Sequence, residues 1–261
     1  MWQSSMGELL IVSAVVLAAL MVVAWLVSLL VEDVSIVDMI WGIGFVIVAW
    51  ATYLQAADPG WRGLLLTAMV TVWGLRLSGY LIWRNLGKPE DFRYQEMRAK
   101  APHRFWLTSL FRVFLVQGAL IWVISVPVVV SQAGDTDLFW LDYVGVLCWG
   151  IGVLFETVGD IQLARFKARP GSRGKVMDRG LWRYTRHPNY FGDFSVWWGH
   201  YLVAAAGGAW WTIFSPVIMS FLLLRVSGVA LLEKTISERR PEYEEYARRT
   251  NAFFPGPSKR G

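Results

Sequence analysis

The sequence predicts an all-α polytopic membrane protein with seven transmembrane helices, the N-terminus outside and the C-terminus cytoplasmic. Three observations carry this. Hydrophobic residues fill 55% of the 261 positions and charged ones 17%, more apolar material than a soluble core can bury. Seven apolar runs lie at about 8–31, 35–54, 62–83, 106–131, 142–164, 190–207 and 209–232, each near the roughly 20 residues a bilayer core requires. Lys and Arg gather in alternate connections: six in 84–104, eight in 165–187 and seven after Leu232, against none in 55–61, 132–141 and 205–211. Basic connections stay on the cytoplasmic side, which sets the orientation.

The first run has no basic flank and no small-residue cleavage site before its polar end, so it reads as a retained helix rather than a signal peptide. The second opens on VDMIWGIGF, with Trp41 and Phe45 on the same face as Asp38. A carboxyl group there either faces the helix macrodipole or, held protonated, donates a hydrogen bond or a proton. In the third run Trp73, Arg76, Tyr80 and Arg84 form one stripe; Arg62 stands just past an uncharged connection, and Arg112 opens the fourth run, where snorkelling accounts for it. In the fifth run Glu156, Asp160 and Lys167 fall at i, i+4 and i+11 on one face, as an internal ion pair or as part of a site.

The last two runs are joined by AAAGGAWW, a tight hairpin, with Arg225 and Glu233 flanking the inner end of the seventh. The tail PEYEEYARRTNAFFPGP predicts a short helix with Tyr243, Tyr246, Phe253 and Phe254 fixing it at the interface. With no repeat or separate soluble segment, residues 1–261 form one integral membrane domain. The single Cys148 excludes an internal disulfide, and three scattered histidines give no metal-binding pattern. The net charge of +5 belongs to clusters that obey topology and touch anionic membrane lipid; no stacking platform points to nucleic acid.

The chain is organised around GLWRYTRHPNYFGD, Gly180 to Asp193, where a basic loop enters an apolar run. Pro188 suits the first turn of a helix. Asn189 and Asp193 then share a face at i and i+4, placing a carboxamide beside a carboxylate, a match for a primary amide such as that of nicotinamide. Arg183, Arg186 and His187 precede them, near the N–H groups of the helix start, where phosphate oxygens are met.

This segment, the preceding GDIQLARFK and the PEYEEY tail resemble the membrane steroid 5-alpha-reductase family, in particular an uncharacterised bacterial branch, over about Leu141 to Pro255. The related sterol C14 reductases carry a similar RHxNYxGD pattern. The resemblance implies a seven-helix reductase of the bacterial inner membrane, with NADPH entering from the cytoplasm. Asn189 and Asp193 would hold the nicotinamide, and Asp160 would lie near the adenosine half. Lys167, Tyr184, Arg186 and Arg225 would surround the phosphates or rings, and Arg84, Glu156, His187 and Tyr190 are further candidate cofactor-binding residues.

The implied reaction reduces a carbon–carbon double bond conjugated to a carbonyl in a lipophilic, steroid-like or isoprenoid substrate. Asp38 falls where the family's carbonyl-holding acid is expected, but Trp73 stands at the tyrosine's approximate place. That departure leaves Asp38 alone, or Asp38 with Tyr80, to act on the carbonyl, with Trp41 and Trp73 as substrate contacts. RHPNYFG also resembles the isoprenylcysteine carboxyl methyltransferases, which bind S-adenosylmethionine; the seven runs and Asp193 favour the reductases. A non-catalytic membrane protein that keeps the fold for lipid or partner binding is the third reading.

Overall fold

The computed structural model describes residues 5–134, 137–172, 174–226 and 242–258, and every described element is helical. Among them, four helices are long and apolar enough to cross a membrane: Met6–Leu30, Gly60–Asn85, Pro102–Val130 and Trp140–Lys167. They match the first, third, fourth and fifth predicted runs. The chain divides into two compact units, Met1–Phe139 with Ala204–Thr212 and Trp140–Val203 with Ile213–Gly261.

In the first unit, α1 (Met6–Leu30) begins at a capping box: Glu8 N–H donates to Ser5 Oγ (3.3 Å) and Ser5 N–H to Glu8 Oε2 (2.9 Å). Its buried residues, Leu9, Ser13, Leu17, Met21, Ala24 and Ser28, make one stripe, while Ile11, Val15, Leu26 and Leu30 are apolar and exposed. Apolar side chains on the outside as well as the inside suit a helix solvated by lipid.

The second predicted run, 35–54, is not one helix. It breaks at Ile40 into α2 (Ile36–Met39) and α3 (Trp41–Gln55). Alone, α3 is about 22 Å long, short of a bilayer core. The break lets α3 start against α4 (Gly60–Asn85) at a glycine contact: a Cβ on Gly74 would sit 2.6 Å from Gly42 O. Ser78 Oγ of α4 then accepts the Ile43 N–H (3.0 Å), one of the donors a helix start leaves without an intrahelical acceptor.

After α4 comes α5 (Phe92–Lys100), N-capped by Asp91, whose side chain accepts Arg93 N–H (3.0 Å). The fourth run is α6 (Phe105–Ser109), a π-turn over Leu110–Phe114 and α7 (Leu115–Val130). Trp122 Nε1 of α7 donates to Leu10 O (3.1 Å) and Ser13 Oγ (3.0 Å) of α1. Arg62 is 2% exposed, and its Nη2 donates to Asp137 O (2.7 Å), so the fold takes up this basic residue beside an uncharged connection.

The second unit is built on a glycine seam between α8 (Trp140–Lys167) and α9 (Pro188–Ala206). A Cβ on Gly152 would lie 2.6 Å from Gly192 O, one on Gly199 2.7 Å from Gly145 O, and one on Gly159 3.2 Å from Pro188 Cγ. Gly145, Gly152 and Gly159 recur every seven residues, two helical turns, so the backbones touch along the whole crossing. The 19 residues of α9 fill the sixth predicted run, although they are not among the four spanning helices.

The seventh predicted run is only 17 described residues, Trp210–Val226: a 3-10 turn (Trp210–Ile213), α10 (Phe214–Phe221) and a π-turn (Leu222–Val226). Its remaining residues, 227–232, and Glu233 lie outside the described residues. The tail forms α11 (Glu242–Arg249), acidic in its first turn and basic in its last, as the helix dipole favours.

Candidate functional site

Two polar constellations stand out, one in each unit. In the first, Asp38 sits on α2 and receives three donors: Arg93 Nη2 at 2.7 Å, the Tyr94 hydroxyl at 2.8 Å and Gln117 Nε2 at 3.1 Å. In this arrangement Asp38 is the common acceptor of three side-chain donors.

The connection carrying Arg93 is laced onto the α2 end. Glu90 accepts Arg98 (2.8 and 3.1 Å) and Val34 N–H (2.9 Å), while Ser35 Oγ accepts Asp91 N–H (2.8 Å). Burial works against charge on Arg93, yet its hydrogen bond to Asp91 and the charge of Asp38 hold its pKa above the usual range. Burial alone would raise Asp91; Arg93 outweighs it and holds the carboxyl below its ordinary value. The Tyr94 phenol is pushed up, first by burial and then by the Asp38 charge, so it keeps its proton.

Trp73 is fully buried and meets Phe45 edge-on (5.6 Å), as Phe45 meets Trp41 (5.6 Å), an aromatic file on the face that the sequence assigned to substrate. Tyr80 is half-buried between Arg76 and Arg84, whose guanidinium carbons lie 5.8 and 5.7 Å from its ring centre. The phenol that meets Asp38 is that of Tyr94.

In the second unit, the turn into α9 is set by α8. Gly180 takes φ +63° with the Gln162 side chain against it, and Gln162 Oε1 accepts Leu181 N–H (3.0 Å). Trp182 Nε1 donates to Gly159 O (3.1 Å), and Pro188 then starts α9 directly on Gly159. This places Asn189 Nδ2 3.4 Å from Asp160 Oδ1. Glu156 and Asp160 are 3% and 5% exposed. Asp193, one turn beyond Asn189, is half-buried with Oδ1 fully covered.

His187 is buried and stacks on Tyr190 (5.6 Å, 13°), and Arg186 is half-buried. Lys167, Tyr184 and Arg225 are exposed. The structure therefore gathers Glu156, Asp160, Asn189, Asp193, His187 and Tyr190 around the α8–α9 seam. Buried carboxylates beside a carboxamide can accept from amide, hydroxyl or ammonium groups and can answer a carbonyl through Asn189 Nδ2. Among the described residues no three His, Cys, Asp or Glu are placed to hold a metal ion.

Sequence reasoning missed Tyr94 and Gln117 and read Arg93 only as a topological charge. Gln117 was the available signal: an amide inside an apolar run needs a partner.

With this geometry in place, the comparisons decide the family. The family described as a protein of unknown function, DUF1295, matches residues 24–250. The chain belongs to that family. The DUF1295 match covers both polar constellations, from α2 to the tail helix. An uncharacterised protein of Schizosaccharomyces pombe is 25% identical over 268 residues, covering 89% of this chain and 76% of its own length. No solved structure matches significantly.

Proposed function

We propose that this chain is an NADPH-dependent reductase of a carbon–carbon double bond conjugated to a carbonyl in a lipophilic substrate, oriented in a bacterial inner membrane with its cofactor residues toward the cytoplasm. The carrying observation is the Asn189 carboxamide beside Asp160, on a seam that also buries Glu156 and runs on to Asp193. The donor set fits the cofactor. Asn189 with Asp193 would hold a primary amide, Glu156 and Asp160 would take ribose hydroxyls, and Arg186 and Lys167 would meet phosphate.

Bound there, NADPH would supply the hydride for the β-carbon of the double bond. The chain must orient the nicotinamide, exclude water and stabilise charge on the carbonyl oxygen. For that charge the candidate is the Asp38 group, where Arg93, Tyr94 and Gln117 donate to one carboxylate. Trp41 and Trp73 are the apolar contacts.

A second reading, an S-adenosylmethionine-dependent methyltransferase of a membrane-embedded lipid or prenyl substrate, is favoured by the carboxylates of the seam, which also suit an ammonium or sulfonium cation. Thermal unfolding of the detergent-solubilised protein with each nucleotide separates the readings, since a ligand of the native state raises the midpoint. NADPH alone is expected to raise it. A rise with S-adenosylmethionine alone would overturn the reductase, and no rise with either would leave a non-catalytic membrane protein.

A further inference from the structure

The tail was expected to anchor at the membrane interface; it folds back on the segment that enters α9. Its contacts are backbone-directed and cover almost every residue of that segment. Tyr246 Oη donates to Trp182 O (2.5 Å), Thr185 Oγ1 to Phe253 O (2.7 Å), Arg186 N–H to Asn251 O (2.9 Å) and Gly256 N–H to Tyr184 O (3.1 Å). Arg249 pairs with Asp178 at 2.6 Å. Phe253 and Phe254 pack edge-on against Phe191 and Phe194 of α9.

A single 3-10 turn, Gly180–Arg183, is all the regular structure that precedes α9, with the Tyr184 and Thr185 N–H groups donating back to Leu181 O (3.0 and 3.3 Å). The tail provides the acceptors and donors that this stretch of backbone would otherwise seek in water. Thr185 is fully buried, Trp182 is 9% exposed and Tyr246 is 3% exposed, so these bonds are shielded from solvent. Burial pushes the Tyr246 phenol pKa up, which keeps it a donor.

We propose that the tail, 242–256, is a clasp that holds segment 182–187 in its ligand-binding conformation, with Tyr246 and Thr185 as positioning residues, so that segment and tail open and close as one unit. The ligand side of this inference rests on the nucleotide-binding reading above, whereas the coupling of the two segments does not. A released clasp would leave α9 seated on its glycine seam while Arg186 and His187 lost their fixed approach to Asn189.

The test uses the full chain in detergent with Tyr246→Phe, Thr185→Val and Thr185→Ser, read by amide hydrogen exchange and by NADPH and S-adenosylmethionine titration. Tyr246→Phe and Thr185→Val are expected to speed exchange in both 182–187 and 242–256 while α8 is unchanged. Each should weaken whichever nucleotide binds wild type by about tenfold, the loss of one buried hydrogen bond. Thr185→Ser, which keeps the hydroxyl, should restore both readouts. Faster exchange in the tail alone, or faster exchange in both segments with unchanged affinity, would overturn the clasp. If wild type bound neither nucleotide, the functional reading would fail by itself, and linked exchange of the two segments would still decide whether they form one unit.

Discussion

The two polar constellations are opposites in construction. Around Asp38 one carboxylate is served by a guanidinium, a phenol and an amide at 2.7, 2.8 and 3.1 Å. Along the α8–α9 seam, Glu156, Asp160 and Asp193 accompany a single carboxamide whose bond to Asp160 is 3.4 Å long. The first is drawn tight by its own side chains, and its contribution is to hold a connector against α2. The second is carried by two helices brought into backbone contact at glycines, which sets Glu156, Asp160, Asn189 and Asp193 along one seam.

The comparison breaks first at the seam. Gly192→Val would drive a Cβ to 2.6 Å from the Glu156 amide nitrogen and Gly152 O, neither of which can move away alone. The expected cost is about 3 kcal/mol, the upper part of the overpacking range, seen as a lowered unfolding midpoint. A variant that melted with wild type would mean the two helices do not touch as described.

Next comes Asp38→Ala, which strips Arg93, Tyr94 and Gln117 of their common acceptor; about 2 kcal/mol of stability should go, with Asp38→Asn losing roughly half. Asn189→Ala sharpens the contrast from the other side. It should weaken NADPH binding by about tenfold and shift the unliganded midpoint by well under the Asp38→Ala change. Equal destabilisation by the two substitutions would erase the distinction between knot and seam.

The smallest effect is acid sensitivity. Asp91 titrates below its ordinary value of 3.8, so the stability it contributes is present above that value and disappears as pH falls through the folded value. Asp91→Asn should therefore narrow its deficit against wild type as a midpoint series descends from about pH 6 to about pH 3. A deficit constant across the series would assign Asp91 to capping alone.

The long helices were legible because their apolar runs have the length of the elements: 8–31 against Met6–Leu30, 62–83 against Gly60–Asn85, 142–164 against Trp140–Lys167. The break at Ile40 was not, since Ile36 to Phe45 is apolar throughout except for Asp38, and hydropathy carries no helical phase across a turn. At the site, Glu156 with Asp160 and Asn189 with Asp193 could be read from their four-residue spacing, whereas the bond from Asn189 to Asp160 spans 29 positions between two helices and could not. The Asp38 knot joins residues 55, 56 and 79 positions apart, and the tail contacts span 64 and 68. Nothing local in Arg93, in Tyr246 or in Thr185 announces a partner at such separations.

The first helix, with its one-sided buried stripe, has 25 residues and an uninterrupted apolar body beyond Glu8. At 1.5 Å per residue it is about 37 Å long, against a hydrocarbon core of about 30 Å. Its body from Leu9 to Leu30, about 33 Å, exceeds that core by about 3 Å, and a stretch longer than its solvent is accommodated by tilt or by local thickening of the bilayer. Acyl-chain length is thus the variable against which the tilt of this helix would be set.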